Sequence, residues 1–376
     1  MVLNWIKRCF GLVVLIQGML LSPAYALEVE GLYQAKVPVM GQTREERLEV
    51  YPSALAQVVV KLTGNQAVPE MPQLSGFVAQ AVSLVQQFQY EELLTTNPAL
   101  IEAGYKRQLV VKFDGDAISR ALIDAEVPLW GRTRSEVLLW LAVEDREARY
   151  LLAANTLAEL ESHLIEQSAR RGLPLILPLM DLEDQARLGF ADVWGDFRQN
   201  ILTASQRYGV DAVLVGRLIR TSGGLWQARW SLHQTAAGGA AESEYWSGDV
   251  NDQLEALTLG VDGAADYVSQ RYAQLFSATP ADSILLTVTD IEDLAGYARA
   301  MKYLESLDIV TNVEVDKVFA DQVLFRLAIR GDASGLKRAV SLGNTLANTL
   351  FQSPDAVELS GNDVAGGQAF IYQLLP

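Results

Sequence analysis

Histidine is the side chain best suited to acid–base work near neutral pH, and this 376-residue chain has two, His163 and His233. They fall on different elements, a helix and a strand. A zinc centre needs three or four ligands, usually with two close together on one element, and no such pair occurs. Both histidines therefore read as surface residues, His163 on a helix face and His233 on a sheet, and neither a metal nor a cofactor is expected. A nucleophile elbow needs Gly-x-Ser-x-Gly, which is missing. Ser334-Gly335-Leu336-Lys337 has the spacing by which a lysine one turn away activates a serine, and Ser360-Gly361-Asn362 follows it. No Lys-Thr-Gly completes the set downstream, and Lys61-Leu62-Thr63-Gly64 lies far upstream, so Ser334 reads as a first-turn helix residue. Glycine-rich phosphate loops are absent as well: Gly223-Gly224 marks a hairpin and Gly366-Gly367 lies in the tail. The acidic clusters Asp114-Gly115-Asp116, Asp181-Leu182-Glu183-Asp184 and Asp290-Ile291-Glu292-Asp293 lack the alternating spacing of a calcium loop. They read as helix caps and solvated turns. A glycosidase pair needs only two carboxylates that meet in space, and among 46 acidic residues the sequence cannot choose one.

The tryptophans carry more information. Trp226 and Trp230 lie four apart on one strand and so share a face with Ala228 and Leu232, while Trp246 is on the next strand. The opposite face holds Gln227, Arg229, Ser231 and His233. An open row of this kind stacks on sugars or peptides, which makes Trp226, Trp230 and Trp246 the candidate interaction face. The competing reading is that they fill the space between sheet and helices, and the clean apolar alternation favours it.

The elements that hold these residues fall into three modules, at 27–130, 131–278 and 279–376. In the first, Leu32–Val39 alternates as a strand. Thr43 to Glu46 forms a capping box for a helix that Pro52 should kink or divide, and Gly64 closes it. Strands over Leu84–Leu93 and Tyr105–Phe113 follow, then a helix capped by Asp116 and a last strand at Val127–Trp130. This is β-α-β-β-α-β, the split βαβ or ferredoxin-like order. The third module repeats it, from a strand at Ser283–Thr289 to one at Ala369–Gln373. Gly-Asp-Ala joins strand to helix in both, at 115–117 and 331–333. The middle module alternates strands at Glu136–Val143, Leu173–Leu179 and Val210–Ile219 with helices capped by Asn155 and running over Asp192–Arg207. It then closes with the meander Leu225–Gln234 and Glu242–Gly248, joined by the AAGGAA turn, and a helix over Asn251–Phe276. The class is α+β, a central mixed α/β layer sandwich flanked by two ferredoxin-like modules.

The ends and the charge give a destination. Lys7 and Arg8 precede a 13-residue apolar run, Cys9–Leu21, and Ala24-Tyr25-Ala26 offers small residues for cleavage. The run is too short to span a bilayer, so residues 1–26 read as a cleavable secretory leader. The only cysteine, Cys9, leaves with it, so the exported chain is expected to have neither a disulfide nor a thiolate. Loss of Lys7 and Arg8 takes the net charge from −16 to −18. Such a chain is repelled by nucleic acid and anionic membranes, and no stable membrane anchor is expected after cleavage.

Two resemblances bear on function. LYQAKVPVMGQTREERLEVYPSALAQVVVKLTGN (32–65), VPLWGRTRSEVLLWLAVED (127–145) and YGVDAVLVGRL (208–218) resemble the proteobacterial envelope family known as domain of unknown function 2066. That resemblance covers nearly all of the chain after the leader, and it implies a compartment and a fold but no catalytic residues. YGVDAVLVGRL with LWQARWSLHQ is similar to α/β domains of periplasmic assembly proteins. These are the amino-terminal domain of TolB, the curli secretion lipoprotein and lipoprotein activators of penicillin-binding proteins, which act by contact. The sequence thus points to a periplasmic protein of a Gram-negative envelope, non-catalytic, that binds other envelope proteins. The alternatives are a glycan-acting hydrolase using the tryptophan face and a small-ligand binder.

Overall fold

The computed structural model describes residues 27–375 except 30, 96–97, 135, 147, 235–241, 274–280, 331–332, 344 and 349–368. The leader, the AAGGAA turn, Gly331-Asp332, Ser360–Asn362 and Gly366-Gly367 lie outside the described residues. The first strand, β1 (Leu27–Glu28), pairs across more than a hundred residues with β5 (Thr133–Arg134). Between them β2 (Gln34–Val39), β3 (Val85–Glu92) and β4 (Arg107–Phe113) form an antiparallel sheet in the order β2-β4-β3. One face is covered by α1 (Arg44–Thr63) and α2 (Gly115–Asp124), whose Leu55, Val58, Ile118 and Leu122 meet Leu109, Val111 and Phe113.

Three expectations for this unit are corrected. Pro52 does not divide α1, which runs unbroken for 20 residues. Its missing N–H leaves the carbonyl of Leu48 without its intrahelical donor, at a residue that is 39% exposed. The cap of α2 is Asp114, which accepts from the Ala117 N–H at 2.9 Å, so Asp116 falls inside the helix. Val127–Trp130 adds no fourth strand, and the order β2-β4-β3 is the ferredoxin-like order with its last strand missing.

The middle unit is a six-stranded sheet. Its spine is β6 (Val137–Asp145), flanked by the hairpin partner β7 (Ala148–Leu151), the short parallel β8 (Leu175–Ile176) and the parallel β9 (Ala212–Arg220). The antiparallel β10 (Trp226–Gln234) and β11 (Ser243–Val250) complete the path β11-β10-β9-β6-β7. Val137–Val143 is wholly buried because both faces are covered, which is why it reads as an unbroken apolar run. One face carries α3 (Ala158–Arg171) and, at the end of this unit, the 20-residue helix Gln253–Tyr272. The other carries α4 (Leu182–Arg187), α5 (Phe190–Trp194) and α6 (Arg198–Ser205). Asn155 does not cap α3. It sits in the left-handed region and gives its N–H to Glu161 at 2.8 Å. The expected helix over Asp192–Arg207 is broken between α5 and α6, where Asp196 turns left-handed at φ 54°. The Gln253–Tyr272 helix is α7.

The third unit has β12 (Ala281–Thr289), α8 (Leu294–Ser306), β13 (Val310–Val318), β14 (Gln322–Ile329) and α9 (Ala333–Leu342). The sequence order of a ferredoxin-like module is present, but the closing strands differ. The tail strand β16 (Ala369–Leu374) enters beside β12 and parallel to it, and β15 (Leu346–Asn348) lies outside β16, giving β13-β14-β12-β16-β15.

The segment 127–134, expected in part (Val127–Trp130) as a strand, joins the three units. Trp130 donates its N–H to Leu62 at the end of α1 (2.7 Å) while its ring packs in the middle core. Leu129 packs against the first and third cores, and Arg132 bonds Asp308 of the third unit at 2.6 Å. Arg134 is 1% exposed and has no carboxylate partner among the described residues. Its donors go to backbone oxygens of Gly131, Trp130 and Lys61, each at 2.8 Å, and to Gly172. Lys61 and Gly172 stand at the C-terminal ends of α1 and α3, so two helix dipoles serve as the counter-charge. The Trp130 ring lies 3.9 Å from the guanidinium. Beside it Arg171 ties Gly64 (2.7 Å) to Asp262 (2.8 Å) and Asp266 of α7. Gly64 is left-handed at φ 68°, and a Cβ there would meet Ser269 at 2.1 Å, so this helix end admits only glycine.

Candidate functional site

The tryptophans face inward. Trp226 and Trp230 are 5% and 1% exposed and lie under α7 with Ala228 and Leu232. Trp230 fits because small residues face it: a Cβ on Gly216 would approach its ring to 2.4 Å, and one on Gly260 to 2.3 Å. Trp246 is half-buried against Gly263 and donates its indole N–H to the Leu259 carbonyl at 3.0 Å. Of the candidate interaction face, Trp226 and Trp230 therefore lie in the core and Trp246 packs half-buried against it. Apolar burial wins because Gly260 and Gly263 of α7 leave room for the rings of Trp230 and Trp246.

The opposite face of β10 holds the polar centre that the sequence did not single out. His233 is fully buried rather than on the sheet surface. Its Nε2 lies 2.8 Å from Asp196 Oδ1 and its Nδ1 lies 2.8 Å from Ser243 Oγ on β11. Ser231 donates to Asp196 Oδ2 at 2.8 Å, and Arg217 stands 3.5 Å from the same oxygen. Burial raises the Asp196 pKa, but the hydrogen bonds from His233 and Ser231 and the charge of Arg217 outweigh it and hold the carboxyl below its ordinary value. An ionised Asp196 can only accept, so Nε2 carries the proton, and in the neutral ring Nδ1 accepts from Ser243. The order hydroxyl–imidazole–carboxylate is that of a hydrolase triad. Access differs: the imidazole has no exposed surface, and Ser243 sits in a regular ladder rather than on a strained elbow. What the network does is tie β11 to the left-handed turn between α5 and α6.

That strand is the end of its sheet. The Gln234 N–H bonds Glu242 O at 3.1 Å, which makes 234/242 a hydrogen-bonded pair. Antiparallel pairs alternate, so in the recorded register His233/Ser243, Ser231/Tyr245, Arg229/Ser247 and Gln227/Asp249 are the non-bonded pairs. Ser243, Tyr245, Ser247 and Asp249 consequently turn both main-chain groups away from β10, along the free edge. Tyr245 is 63% exposed beside them.

The other residues raised by sequence have structural partners. Of the acidic clusters, Asp181 caps α4 and takes two hydrogen bonds from Arg207, at 2.6 and 2.9 Å. Those bonds hold the Asp181 carboxyl far below the carboxylate range and raise Arg207. Buried Asp184 accepts from the Tyr208 hydroxyl at 2.5 Å, and burial together with that bond pushes Tyr208 up to about 12. Asp293 caps α8 at 2.7 Å. Among the described residues no group of three or more acidic, histidine or cysteine side chains could hold a metal. His163 is half-buried between α3 and α7, not exposed, with Thr258 at 2.8 Å, and burial lowers its pKa. Lys337 lies 4.9 Å over the Phe370 ring, away from a role at Ser334.

Fold and site together define an α+β protein in which a buried polar centre braces the end strand of a sheet. Residues 26–131 match a family model described as a domain of unknown function (DUF8605). The match covers the first unit and runs into the joint as far as Gly131. It is not to domain of unknown function 2066, which corrects the resemblance drawn from the sequence. No curated protein matches the chain.

Proposed function

We propose that this chain is an exported, non-catalytic protein of the bacterial periplasm that joins envelope proteins by accepting a partner's strand on the free edge of β11. The carrying observation is that edge: four residues of an eight-residue strand turn their main-chain donors and acceptors outward. Strand addition supplies affinity through such groups and specificity through alternate side chains, here Ser243, Tyr245, Ser247 and Asp249. The His233–Asp196 network supports the reading, since it fixes the edge against α5 and α6 before any partner arrives and so lowers the ordering cost of binding. The leader, the absence of cysteine after it and the acidic charge support export and argue against nucleic acid as a partner. A periplasmic glycan hydrolase loses its main support with the burial of Trp226 and Trp230.

The test is a photo-reactive amino acid at Tyr245 in the full chain, expressed in a Gram-negative host and irradiated in living cells. A discrete cross-linked envelope protein is expected from position 245 and not from Lys112 on the first sheet. Equal labelling from both positions, or none from either, overturns the reading.

A further inference from the structure

We propose that the cleft between the first and third units binds a small zwitterion of the amino-acid type, one that carries a carboxylate and an ammonium group. The cleft has a volume of about 270 Å³ and is walled by the joint segment, α2 and the start of β13. Sites for drug-sized ligands run from roughly 300 to 1,000 Å³, so this one suits a smaller molecule.

Its charges select the class. Arg132 is already spent on Asp308, at 2.6 Å. What remains is one cation, Arg330, and two anions, Asp116 and Glu305. None of these three side chains has a hydrogen bond or ion pair among the described residues. Asp116 and Glu305 are exposed, and Arg330 is half-buried. A purely anionic ligand would meet the two free carboxylates, and a purely cationic one would meet the guanidinium. A neutral ligand would cover Arg330 and leave its donors unpaired, which costs more than it gains. A molecule with both charges satisfies both sides: its carboxylate on Arg330, whose planar fork matches that group, and its ammonium toward Asp116 and Glu305. Ile123, Leu129, Leu307 and Val310 also line the cleft, although most of its lining surface is polar.

The site draws Asp116 from α2 and Arg330 from the end of β14, so its occupant would bridge two units that the joint already holds together. It is independent of the β11 edge, and either can fail without the other.

Isothermal titration of the full chain without its leader, using L-leucine, tests the assignment. 4-Methylpentanoate and 3-methylbutylamine serve as half-ligands that each lack one charge, and inorganic phosphate as a pure anion. L-Leucine should bind at least about tenfold more tightly than either half-ligand, since each charge-assisted bond is worth that much or more. Arg330→Gln should abolish the advantage over the amine, and Glu305→Gln with Asp116→Asn the advantage over the acid, with unfolding midpoints unchanged. Binding of 4-methylpentanoate or phosphate as tight as that of L-leucine would overturn the proposal. So would no detectable heat with any probe at 10-fold above about 1 mM, the weak end of small-metabolite affinity, or L-leucine binding that survives Arg330→Gln unchanged.

Discussion

Proline placed at two adjacent positions of β11 separates its inner edge from its outer one. Ser247 is in a non-bonded pair with Arg229, so its N–H points to the free edge, while Gly248 is in a bonded pair with Ala228. Ser247→Pro removes an outward donor only. Proline is tolerated on an edge strand with its missing N–H facing solvent, and the expected change in stability is within about 1 kcal/mol. Gly248→Pro deletes the ladder bond to Ala228, whose residue is fully buried, and leaves that carbonyl unpaired. An orphaned buried acceptor costs about 1–3 kcal/mol. The added ring must also displace Leu259, whose side chain a Cβ would approach to 2.9 Å, so the total reaches about 3 kcal/mol or more. Chemical denaturation followed by tryptophan fluorescence measures both, because Trp230 and Trp246 lie in the affected strands. Photo-cross-linking from Tyr245 in the Ser247→Pro background then measures partner capture, which should fall steeply although the fold is intact. Equal destabilisation by the two prolines would refute the strand parity. Undiminished capture by Ser247→Pro would refute strand addition while leaving the parity standing.

Three further outcomes are expected. Asp196→Ala leaves the His233 Nε2–H and the Ser231 hydroxyl without their acceptor and should cost about 2–5 kcal/mol, whereas Asp196→Asn keeps one acceptor and should cost less; thermal denaturation of the pair tests this ordering. Arg134→Lys should destabilise by about 2–4 kcal/mol, because an ammonium cannot reach the carbonyls of α1, α3 and the joint together; a neutral result in urea titration would remove the joint's central role. Lys61 is brought down to about 8 by burial and by the charges of Lys36 and Arg134. Below that pH the folded and unfolded chains both hold the proton and the cost is constant. Above it, up to the ordinary lysine value of about 10.4, the unfolded chain binds more protons and stability rises with pH. Lys61→Met should abolish that rise between pH 7.5 and 9.5, read as the shift in denaturation midpoint relative to the parent; parallel pH curves would contradict it.

The elements that were legible in the sequence are those set by local chemistry. Thr43 does cap α1, with its hydroxyl accepting the Glu46 N–H at 3.2 Å, and Gly64 does end it. The alternation of Trp226 to Gln234 gave the correct two faces, because a strand's period is fixed by its backbone. The α+β class follows from the same local periods.

What the sequence could not decide depends on partners distant along the chain. Pro52 reads as a helix breaker, yet packing of Tyr51, Leu55 and Val58 into one core holds α1 continuous. Residues 127–130 have the pattern of a strand, but the donors and rings of 127–134 are claimed by groups 38 to 176 positions away, at Lys61, Gly172 and Asp308. His233 looked like a sheet-surface residue because Asp196, 37 positions away, carries no signal of its own until the helix breaks and aims it inward. Likewise, Asp116, Glu305 and Arg330 have no common meaning in the sequence and come to line one cleft only in the fold. Composition and period are properties of neighbours in sequence and fix the elements. Which face is open, which charge stays unpaired and which edge is left free are fixed only when separate elements compete for the same surface.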